Sequence, residues 1–328
     1  MNRRALTVLP AAVAMAAVLA LAGCTAGGDV GAQQPPAGGP PLPGGAKEVA
    51  NLPEASADTS CDPTASLRPN GTPDDSAGPT VAKIRARGKL IVGVDQNTYQ
   101  FGYRNPVTGE VEGFDIDMAR EIAKAIFGTD KGKLQLKVLT SAQRVPAVKS
   151  GDVDLVVETM TINCERRKDV EFSSVYYMAG QKVLVKDGSG YTGIESLGGK
   201  KVCAANGSTS IANIVNAPVD PKPMGVGVDS WTDCLVMLQQ NQVDAVSTDD
   251  TILAGLKAQD PFTSVVGDRF TDEPYGMAMS KNAPDFTRFV NAVLEELRTS
   301  GQWKKIYDKW LLALLETSAA PPAARYRD

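Results

Sequence analysis

The 328-residue chain contains no histidine, so it lacks the side chain that most often acts as a general base near neutral pH and one of the usual zinc ligands. None of its five cysteines forms a C-x-x-C pair, which argues further against a zinc site. The net charge of −4 is small and both signs are interspersed, so the basic stripe of a nucleic-acid-binding protein is missing. We therefore expect no metal, no cofactor, no nucleic-acid partner and no enzymatic activity.

A long apolar segment is also missing after the N-terminus. Residues 1–23 begin with Arg3 and Arg4, continue through a short apolar run and end in small residues, as a secretory signal peptide does. The sequence LAGC at 21–24 resembles a bacterial lipobox, in which the cysteine becomes the lipid-modified first residue of the mature protein. The alternative is an ordinary signal peptide that contains a cysteine by chance. We expect an extracytoplasmic protein that is anchored to the cell membrane by a lipid on Cys24.

Four further cysteines follow Cys24, namely Cys61, Cys164, Cys203 and Cys234. Export places them in an oxidising environment, where disulfides form and persist. Four cysteines allow three pairings, and their number alone leaves all three open. We expect two structural disulfides.

Two segments have the composition of flexible chain. Residues 25–80 are rich in proline, glycine, alanine and small polar residues, so they bury too little apolar surface to offset the entropy lost on ordering. We expect a flexible tether there, although Cys61 indicates that its later part is joined to the fold. We expect the tail at 317–328 to be disordered.

Residues 81–316 alternate strand and helix patterns, which predicts an α/β fold. The apolar run at 89–95 predicts a strand, and 113–128 predicts a helix with Asp115 or Asp117 as its N-cap. The two halves resemble each other, since VKSGDVDLVVETMT and LQQNQVDAVSTDDT both run from a helix end through apolar residues into a polar turn. Such a repeat predicts two lobes with a ligand cleft at the carboxyl ends of their strands.

The polar turns after these strands contain groups that suit the carboxylate of an α-amino acid. A carboxylate calls for a bidentate guanidinium and for backbone N–H groups. Arg166 offers the first, and the turn that contains Ser208 and Thr209 offers the second. Taken singly, Arg166 also fits a solvated helix charge, and both hydroxyl residues fit helix caps.

The same turns contain groups that suit an α-ammonium. Asp249 offers a carboxylate, and the Thr159 carbonyl and Thr161 hydroxyl offer neutral acceptors. Alone, Asp249 reads more simply as a helix cap and Thr161 as an edge hydroxyl. It is the conjunction of these groups that predicts an amino-acid site.

Motifs between 89 and 312 resemble, in order, the amino-acid-binding solute receptors of bacterial ABC importers, the polar amino acid family with glutamine- and glutamate-binding members. They are GKLIVGVD, EGFDIDMAREIA, TSAQRVPAVKSGDVDLVVETMTINCERRKDVEFSSVYY, GKKVCAANGSTS, VDAVSTDDTIL, DEPYGMAM and GQWKKIYDKW. The resemblance implies an α/β, two-lobed periplasmic-binding-protein-like fold of type II. Its two hinge strands would be KVLVK at 182–186 and EPYGMAM at 273–279. Lobe 1 would then consist of 81–181 and 273–316, and lobe 2 of 182–272.

The resemblance also implies a role for each candidate residue. Arg166 would grip the ligand carboxylate, and Thr161 and Asp249 would hold its ammonium. The turn at Ser208 and Thr209 would close from the other lobe. The protein would be a monomer that delivers its ligand to the permease of an ABC importer. The alternative is a sensor that presents its ligand-bound state to a membrane signalling receptor.

Two residues bear on which amino acid is bound. In the family, the arginine of a TSxxR-P motif often marks members that bind acidic side chains, and Arg144 stands at that position. The alternative is an arginine on a helix surface. Gln96 offers an amide contact to a side-chain carboxylate or carboxamide. The expected order is glutamate or aspartate first, glutamine or asparagine second and basic amino acids last, because a second arginine in the cleft repels them.

The implied lobes also favour one disulfide pairing. Cys203 and Cys234 fall in the same lobe, so we expect them to pair, which leaves Cys61 to reach Cys164 across lobe 1. Reversed pairing would link the lobes and block hinge motion.

Overall fold

Two mixed α/β lobes make up the part of the chain that the computed structural model describes, residues 41–53 and 58–327. The predicted signal peptide, Cys24 and the first part of the predicted tether lie outside these ranges. None of the helices within them has both the length and the apolar character that a membrane crossing requires.

The strands and helices follow one another in the alternating order expected of an α/β chain. The strands are β1 Lys47–Val49, β2 Ala65–Leu67, β3 Leu90–Val94, β4 Asn97–Thr98, β5 Gly102–Arg104, β6 Val111–Glu112, β7 Leu134–Val138, β8 Leu155–Val156, β9 Val170–Phe172, β10 Tyr177–Lys186, β11 Lys201–Ala205, β12 Met224–Val228, β13 Ala245–Asp249, β14 Thr263–Tyr275, β15 Ala278–Ser280 and β16 Arg325–Arg327. The helices are α1 Pro73–Ser76, α2 Pro79–Arg87, α3 Phe114–Phe127, α4 Arg144–Ser150, α5 Cys164–Arg167, α6 Thr209–Val215, α7 Trp231–Gln239, α8 Asp250–Gln259, α9 Pro284–Thr299, α10 Gln302–Trp310 and α11 Leu312–Leu315.

Lobe 1 is built on a five-stranded sheet in the order β7-β3-β8-β15-β9. The strand β3 pairs in parallel with β7 and β8, and β15 lies antiparallel between β8 and the edge strand β9. The apolar, β-branched sequence of β3, LIVGV, suits a strand that is covered by helices. The carboxyl ends of β3 and β8 therefore lie side by side, which brings the polar turns after them together.

Lobe 2 is built on a six-stranded sheet in the order β1-β12-β11-β13-β10-β14. The strands β12, β11 and β13 are parallel neighbours, and α6, α7 and α8 follow β11, β12 and β13 respectively. Cys203 on β11 and Cys234 on α7 are joined by a disulfide inside the core of this lobe. This is one of the two pairings expected above.

The two long strands β10 and β14 connect the lobes. They pair antiparallel over most of their length, from Tyr177 opposite Tyr275 to Lys186 opposite Thr263. The predicted hinge segment 182–186 lies inside the lobe 2 sheet, where β10 also pairs with β13. The chain therefore crosses between the lobes just before it, at 177–181 opposite 271–275.

An aromatic cluster packs around this crossing in the core of lobe 1. Phe101 lies edge-to-face against Phe114 and Tyr177, with ring centroids 5.6 and 5.4 Å apart. Trp303 on α10 donates its indole N–H to the Tyr176 carbonyl at 2.8 Å. Because these rings are fully buried, they hold the hinge strands firmly on lobe 1.

The start of α3 differs from the prediction of an Asp115 or Asp117 N-cap. Gly113 occupies the N-cap with φ +135°, and a Cβ atom there would lie 2.2 Å from the Phe101 carbonyl oxygen. Only glycine fits this position. Asp115 instead points into the core, where its carboxylate accepts hydrogen bonds from the Thr159 N–H and the Tyr176 hydroxyl, both at 2.8 Å.

The described part of 25–80 is ordered on the two lobes, contrary to the prediction of a flexible tether. The strand β1 pairs antiparallel with β12 at the edge of the lobe 2 sheet. Further along, Cys61 forms a disulfide with Cys164 of lobe 1, the second expected pairing. An edge strand gains its stability from backbone hydrogen bonds, which need no apolar side chains. Composition therefore does not reveal this docking.

The predicted disorder of 317–328 is likewise wrong for the residues that the structure describes. The strand β16 pairs in parallel with β2, and the Tyr326 hydroxyl donates to Glu295. Arg327 forms an ion pair with Glu171, and Arg298 donates to the Pro322 carbonyl at 3.0 Å. These polar and backbone contacts again leave no apolar pattern in the sequence.

Deleting 317–328 tests the docking of this tail. Loss of the β16–β2 ladder and its ion pairs should lower the free energy of unfolding by about 1–3 kcal/mol, measured by urea denaturation. Tyr326→Phe, which removes only the hydroxyl donor, should have a smaller effect in the same direction. An unchanged denaturation midpoint in the truncated protein would instead indicate a disordered tail.

Candidate functional site: a charged cleft between the lobes

Arg166 links the two lobes directly. It lies on α5, just after the turn that follows β8, and is held there because Asn163 caps α5 by accepting the Arg166 N–H at 2.8 Å. Its Nη1 atom donates to the Thr161 carbonyl of lobe 1 at 2.6 Å, and its Nη2 atom donates to the Gly207 carbonyl of lobe 2 at 3.1 Å. One guanidinium therefore spans the cleft.

Two glycines allow the lobes to approach closely. A Cβ atom on Gly207 would lie 2.6 Å from Cα of Ala142 in lobe 1. A Cβ atom on Gly255 of lobe 2 would lie 3.2 Å from the backbone carbonyl oxygen of Tyr99 in lobe 1. The structure is thus that of a closed, two-lobed protein.

Glu273 collects hydrogen bonds from both lobes and the hinge. This buried carboxylate on β14 accepts from the hydroxyl of Thr161 at 2.6 Å and from that of Thr209 at 2.8 Å, both at Oε2. Its Oε1 atom accepts from Thr271 at 2.7 Å and from Asn213 at 3.1 Å. Four donors satisfy this carboxylate, which joins Thr161 of lobe 1 to Thr209 of lobe 2.

Asp249 is the last residue of β13, and only one of its two carboxyl oxygens is hydrogen-bonded among the described residues. Its Oδ2 atom accepts the Tyr275 hydroxyl at 2.5 Å, while its Oδ1 atom is buried and has no hydrogen-bond partner among residues 41–53 and 58–327. Burial and the nearby charge of Glu273 raise the pKa of Asp249 well above its ordinary value. Asp249 is at the N-cap of α8, but its side chain makes no capping hydrogen bond, so the simple cap interpretation fails.

Arg166 keeps its positive charge at neutral pH although its pKa is lowered. Burial lowers the pKa of Arg166 to about 9, and the neighbouring charge of Arg144 acts in the same direction. Glu273 and Asp249 oppose this shift. The guanidinium therefore stays protonated at neutral pH and faces two carboxyl groups.

Arg144 is buried and not on a helix surface, and its charge acts on Arg166 and Asp249 of the cleft. It is 3 % exposed, and it donates through Nε to the Ser141 carbonyl at 3.0 Å and through Nη1 to the Glu158 carbonyl at 2.9 Å. Both acceptors belong to lobe 1. These contacts hold the turn after β7 against the turn after β8, which is a structural use of the guanidinium.

The other predicted residues lie around the same cleft. Gln96 lines a cavity between the lobes, and its side-chain carbonyl accepts from Arg104 at 3.1 Å. Thr159 has φ +41° and directs its N–H to Asp115. Ser208 is the N-cap of α6 and accepts the Ile211 N–H at 3.3 Å, so the simple cap interpretation describes its hydroxyl.

Two buried carboxyl groups and one half-buried one near these residues were not predicted from the sequence. Glu273 stands in the DEPYGMAM motif, Glu158 ends the apolar run DLVVE, and Asp95 ends the apolar run KLIVGVD. The available signal is an acid directly after, or within, a strand that is apolar otherwise.

The fold and the cleft define a two-lobed binding protein, and comparison with known proteins agrees. Residues 90–313 match the bacterial extracellular solute-binding proteins, family 3. The chain belongs to this family.

The chain is similar to several solute-binding proteins in sequence and in structure. The chain is 42 % identical to the ABC transporter glutamine-binding protein GlnH of Bacillus subtilis, covering 72 % of this chain and 86 % of the relative. It is 30 % identical to a glutamate/aspartate import solute-binding protein of Salmonella typhimurium, covering 72 % and 80 % of the two chains. It is also similar to holo ArgBP of T. maritima, with a TM-score of 0.62, 30 % identity and coverage of 70 % and 98 %.

Gly207→Ala tests whether the closed arrangement depends on the contact with Ala142. The added methyl group cannot fit between the closed lobes, so the radius of gyration measured by small-angle X-ray scattering should increase. Gly188→Ala is the matched control, because Gly188 has φ +74° against +75° for Gly207 but no heavy atom of the described residues within 4 Å of its Cβ position. Both variants carry the same backbone strain. Equal scattering from both would contradict the closed contact.

Proposed function

We propose that this protein captures a polar amino acid, namely glutamate, aspartate, glutamine or asparagine, between its lobes and delivers it to the permease of an ABC importer. The names of the B. subtilis and S. typhimurium relatives support this ligand class and this partner. The observation that carries the proposal is the buried Oδ1 atom of Asp249, which has no partner in the described part of the chain and whose carboxyl group acts on the charge of Arg166.

Asp249 would receive the α-ammonium of the ligand. A buried carboxylate oxygen without a donor is costly, whereas an ammonium brings three N–H donors and an opposite charge. The Thr161 hydroxyl and the Thr159 carbonyl would accept the remaining donors. Thr161 already stands within the hydrogen-bonded group around Glu273, so its position is fixed before the ligand arrives.

Arg166 would receive the α-carboxylate. A guanidinium has five N–H donors, and two of those on Arg166 reach the Thr161 and Gly207 carbonyls, which leaves donors for a ligand. A bidentate arginine–carboxylate pair is among the stronger polar contacts in proteins. The turn with Ser208 and Thr209 would complete the contact from lobe 2.

Closure would follow from these contacts as a shift in population. A ligand that touches Arg166 in lobe 1 and Asp249 in lobe 2 makes its full set of contacts only in the closed state. Its binding energy therefore favours that state over the open one. The closed form is what a membrane permease would recognise.

We further propose that the protein acts as an extracytoplasmic monomer carried on the membrane by a lipid on Cys24. The LAGC sequence at 21–24 supports this. Radiolabelled lipid should be incorporated into the wild type and not into Cys24→Ser.

Arg166→Ala should weaken amino-acid binding by about 100-fold or more in isothermal titration calorimetry, because it removes the partner of a desolvated carboxylate. Arg87→Ala is the control, since Arg87 pairs with Asp154 on lobe 1 away from the cleft. Normal binding of glutamate and glutamine by Arg166→Ala would show that the carboxylate site has been misassigned.

Ligand binding should release a proton from Asp249. In the closed protein without ligand, burial and the charge of Glu273 raise the pKa of Asp249 and favour its protonated form, whereas the ligand ammonium favours the ionised form. Affinity should therefore rise with pH until free Asp249 ionises.

Calorimetry in two buffers of different ionisation enthalpy measures this release. We expect buffer-dependent heats for the wild type and for Asp169→Asn, a change at an exposed acid. Asp249→Asn should bind weakly and without the buffer dependence. Identical heats in both buffers for the wild type would contradict the role of Asp249.

A further inference from the structure

The first described segment of the chain, 41–53, is attached to lobe 2. Its strand β1 pairs with β12 at the edge of the lobe 2 sheet. Glu48 of β1 forms an ion pair with Lys201 at 2.9 Å, and the Leu52 carbonyl accepts a hydrogen bond from the Asn216 side chain at 3.0 Å. This segment therefore moves with lobe 2 as long as these contacts hold.

The next described segment, 58–64, is attached to lobe 1 at α5, the short helix that carries Arg166. Three links join it to this helix and to the residue that follows, namely the Cys61–Cys164 disulfide, a hydrogen bond from Arg167 Nε to the Pro63 carbonyl at 2.9 Å, and an ion pair between Lys168 and Asp58 at 2.9 Å. Because the disulfide is covalent, this segment stays on lobe 1 whether the lobes are open or closed.

The two segments come together at the cleft. Leu52 near the end of the first and Asp58 at the start of the second line the same cavity, which has a volume of about 590 Å³. Arg166 of lobe 1 and residues 207–209 of lobe 2 form further walls of this cavity. Both segments therefore lie beside the place where the Arg166 guanidinium reaches the Gly207 carbonyl.

The segment 41–53 and the hinge hold lobe 2 at opposite edges of its sheet. The order β1-β12-β11-β13-β10-β14 places β1 at one edge and the hinge strands β10 and β14 at the other. A lobe that is joined at a single edge can rotate about that edge, whereas an attachment at the opposite edge resists the rotation. The N-terminal chain is therefore placed to restrain opening of the cleft.

The connection between the two attachments is short. Leu52 and Asp58 are six residues apart in the chain, and six residues span at most about 20 Å when they are fully extended. Because Cys61 is held covalently, opening beyond this reach must break the contacts on lobe 2, first the Leu52–Asn216 hydrogen bond and then the β1 ladder. These contacts are complete only while the lobes are close.

We propose that the segments 41–53 and 58–64 together form a strap that favours the closed state and slows the release of the ligand. Contacts that one state makes and the other loses shift the population towards the first state. A short connection also keeps β1 at a high effective concentration beside β12, so the ladder re-forms readily after each opening. The strap goes beyond the proposed function, because it concerns the motion of the lobes, and only its effect on ligand release rests on that function.

A Gly-Ser insertion of about twelve residues between Pro53 and Asp58 tests the strap. The insertion keeps the attachments to both lobes and lengthens only the connection, since a Gly-Ser chain is flexible. Without ligand, the radius of gyration measured by small-angle X-ray scattering should exceed that of the control. With whichever of glutamate, aspartate, glutamine and asparagine binds most tightly, the dissociation rate measured by stopped-flow fluorescence should rise about three- to tenfold.

The same insertion between Ser189 and Gly190 is the matched control, because these residues lie in an exposed turn of lobe 2. It adds the same mass without touching the strap, so the dissociation rate should stay as in the wild type. Cys61→Ser combined with Cys164→Ser frees the lobe 1 end and should act in the same direction as the strap insertion. Thermal unfolding shows whether each variant is folded, and the insertion keeps the test decisive if the double cysteine variant is not.

The scattering comparison needs no ligand, so the strap and the proposed function can fail separately. Equal radii of gyration for the two insertion variants, or equal dissociation rates, would overturn the strap while leaving amino-acid binding intact. If none of the four amino acids bound, the proposed function would fail, and the scattering comparison alone would decide the strap.

Discussion

Charge buried between two lobes is the constraint on which the rest of this structure depends. Closing the cleft removes Asp249, Glu273 and Glu158 from water and leaves Arg166 half-buried near them, and each buried group must then be paired or neutral. Glu273 is satisfied by donors from both lobes and the hinge, but Asp249 and Glu158 each keep one oxygen without a partner among the described residues. The closed state is therefore electrostatically incomplete, and a zwitterionic ligand with a polar side chain can complete it.

The rest of the structure positions the cleft residues but leaves the two lobes able to move relative to each other. The aromatic cluster around Phe101 and Trp303 fixes the hinge strands on lobe 1. Neither disulfide joins the two lobes to each other. Cys203–Cys234 lies within lobe 2, and Cys61–Cys164 joins the N-terminal segment to lobe 1. Contacts across the cleft are hydrogen bonds and close backbone approaches, which can form and break as a group.

Much of this could be predicted from the sequence, because hydrophobic periodicity and polar turns report directly on local structure. The α/β class, the two lobes and the closeness of Thr161, Arg166 and Asp249 follow from strands that end at one edge of each sheet. The docking of β1 and β16 could not be predicted, since backbone pairing at an edge needs no particular side chains. The hydrogen bonds of Arg144 to the carbonyls of Ser141 and Glu158 could not be predicted either, because a motif identifies a residue but not the contacts of each guanidinium nitrogen. Glu273 and Glu158 were missed because an acid at the end of an apolar strand is a weak signal, which fits an exposed loop residue as well as a buried one.

A crystal structure of the protein grown with whichever of glutamate, aspartate, glutamine and asparagine binds most tightly tests the central claim most directly. The account predicts a closed cleft in which the ligand ammonium lies within hydrogen-bond distance of Asp249 Oδ1 and the ligand carboxylate contacts the Arg166 guanidinium. A closed protein with an empty cleft, or a ligand that leaves Asp249 Oδ1 without a donor, would contradict it.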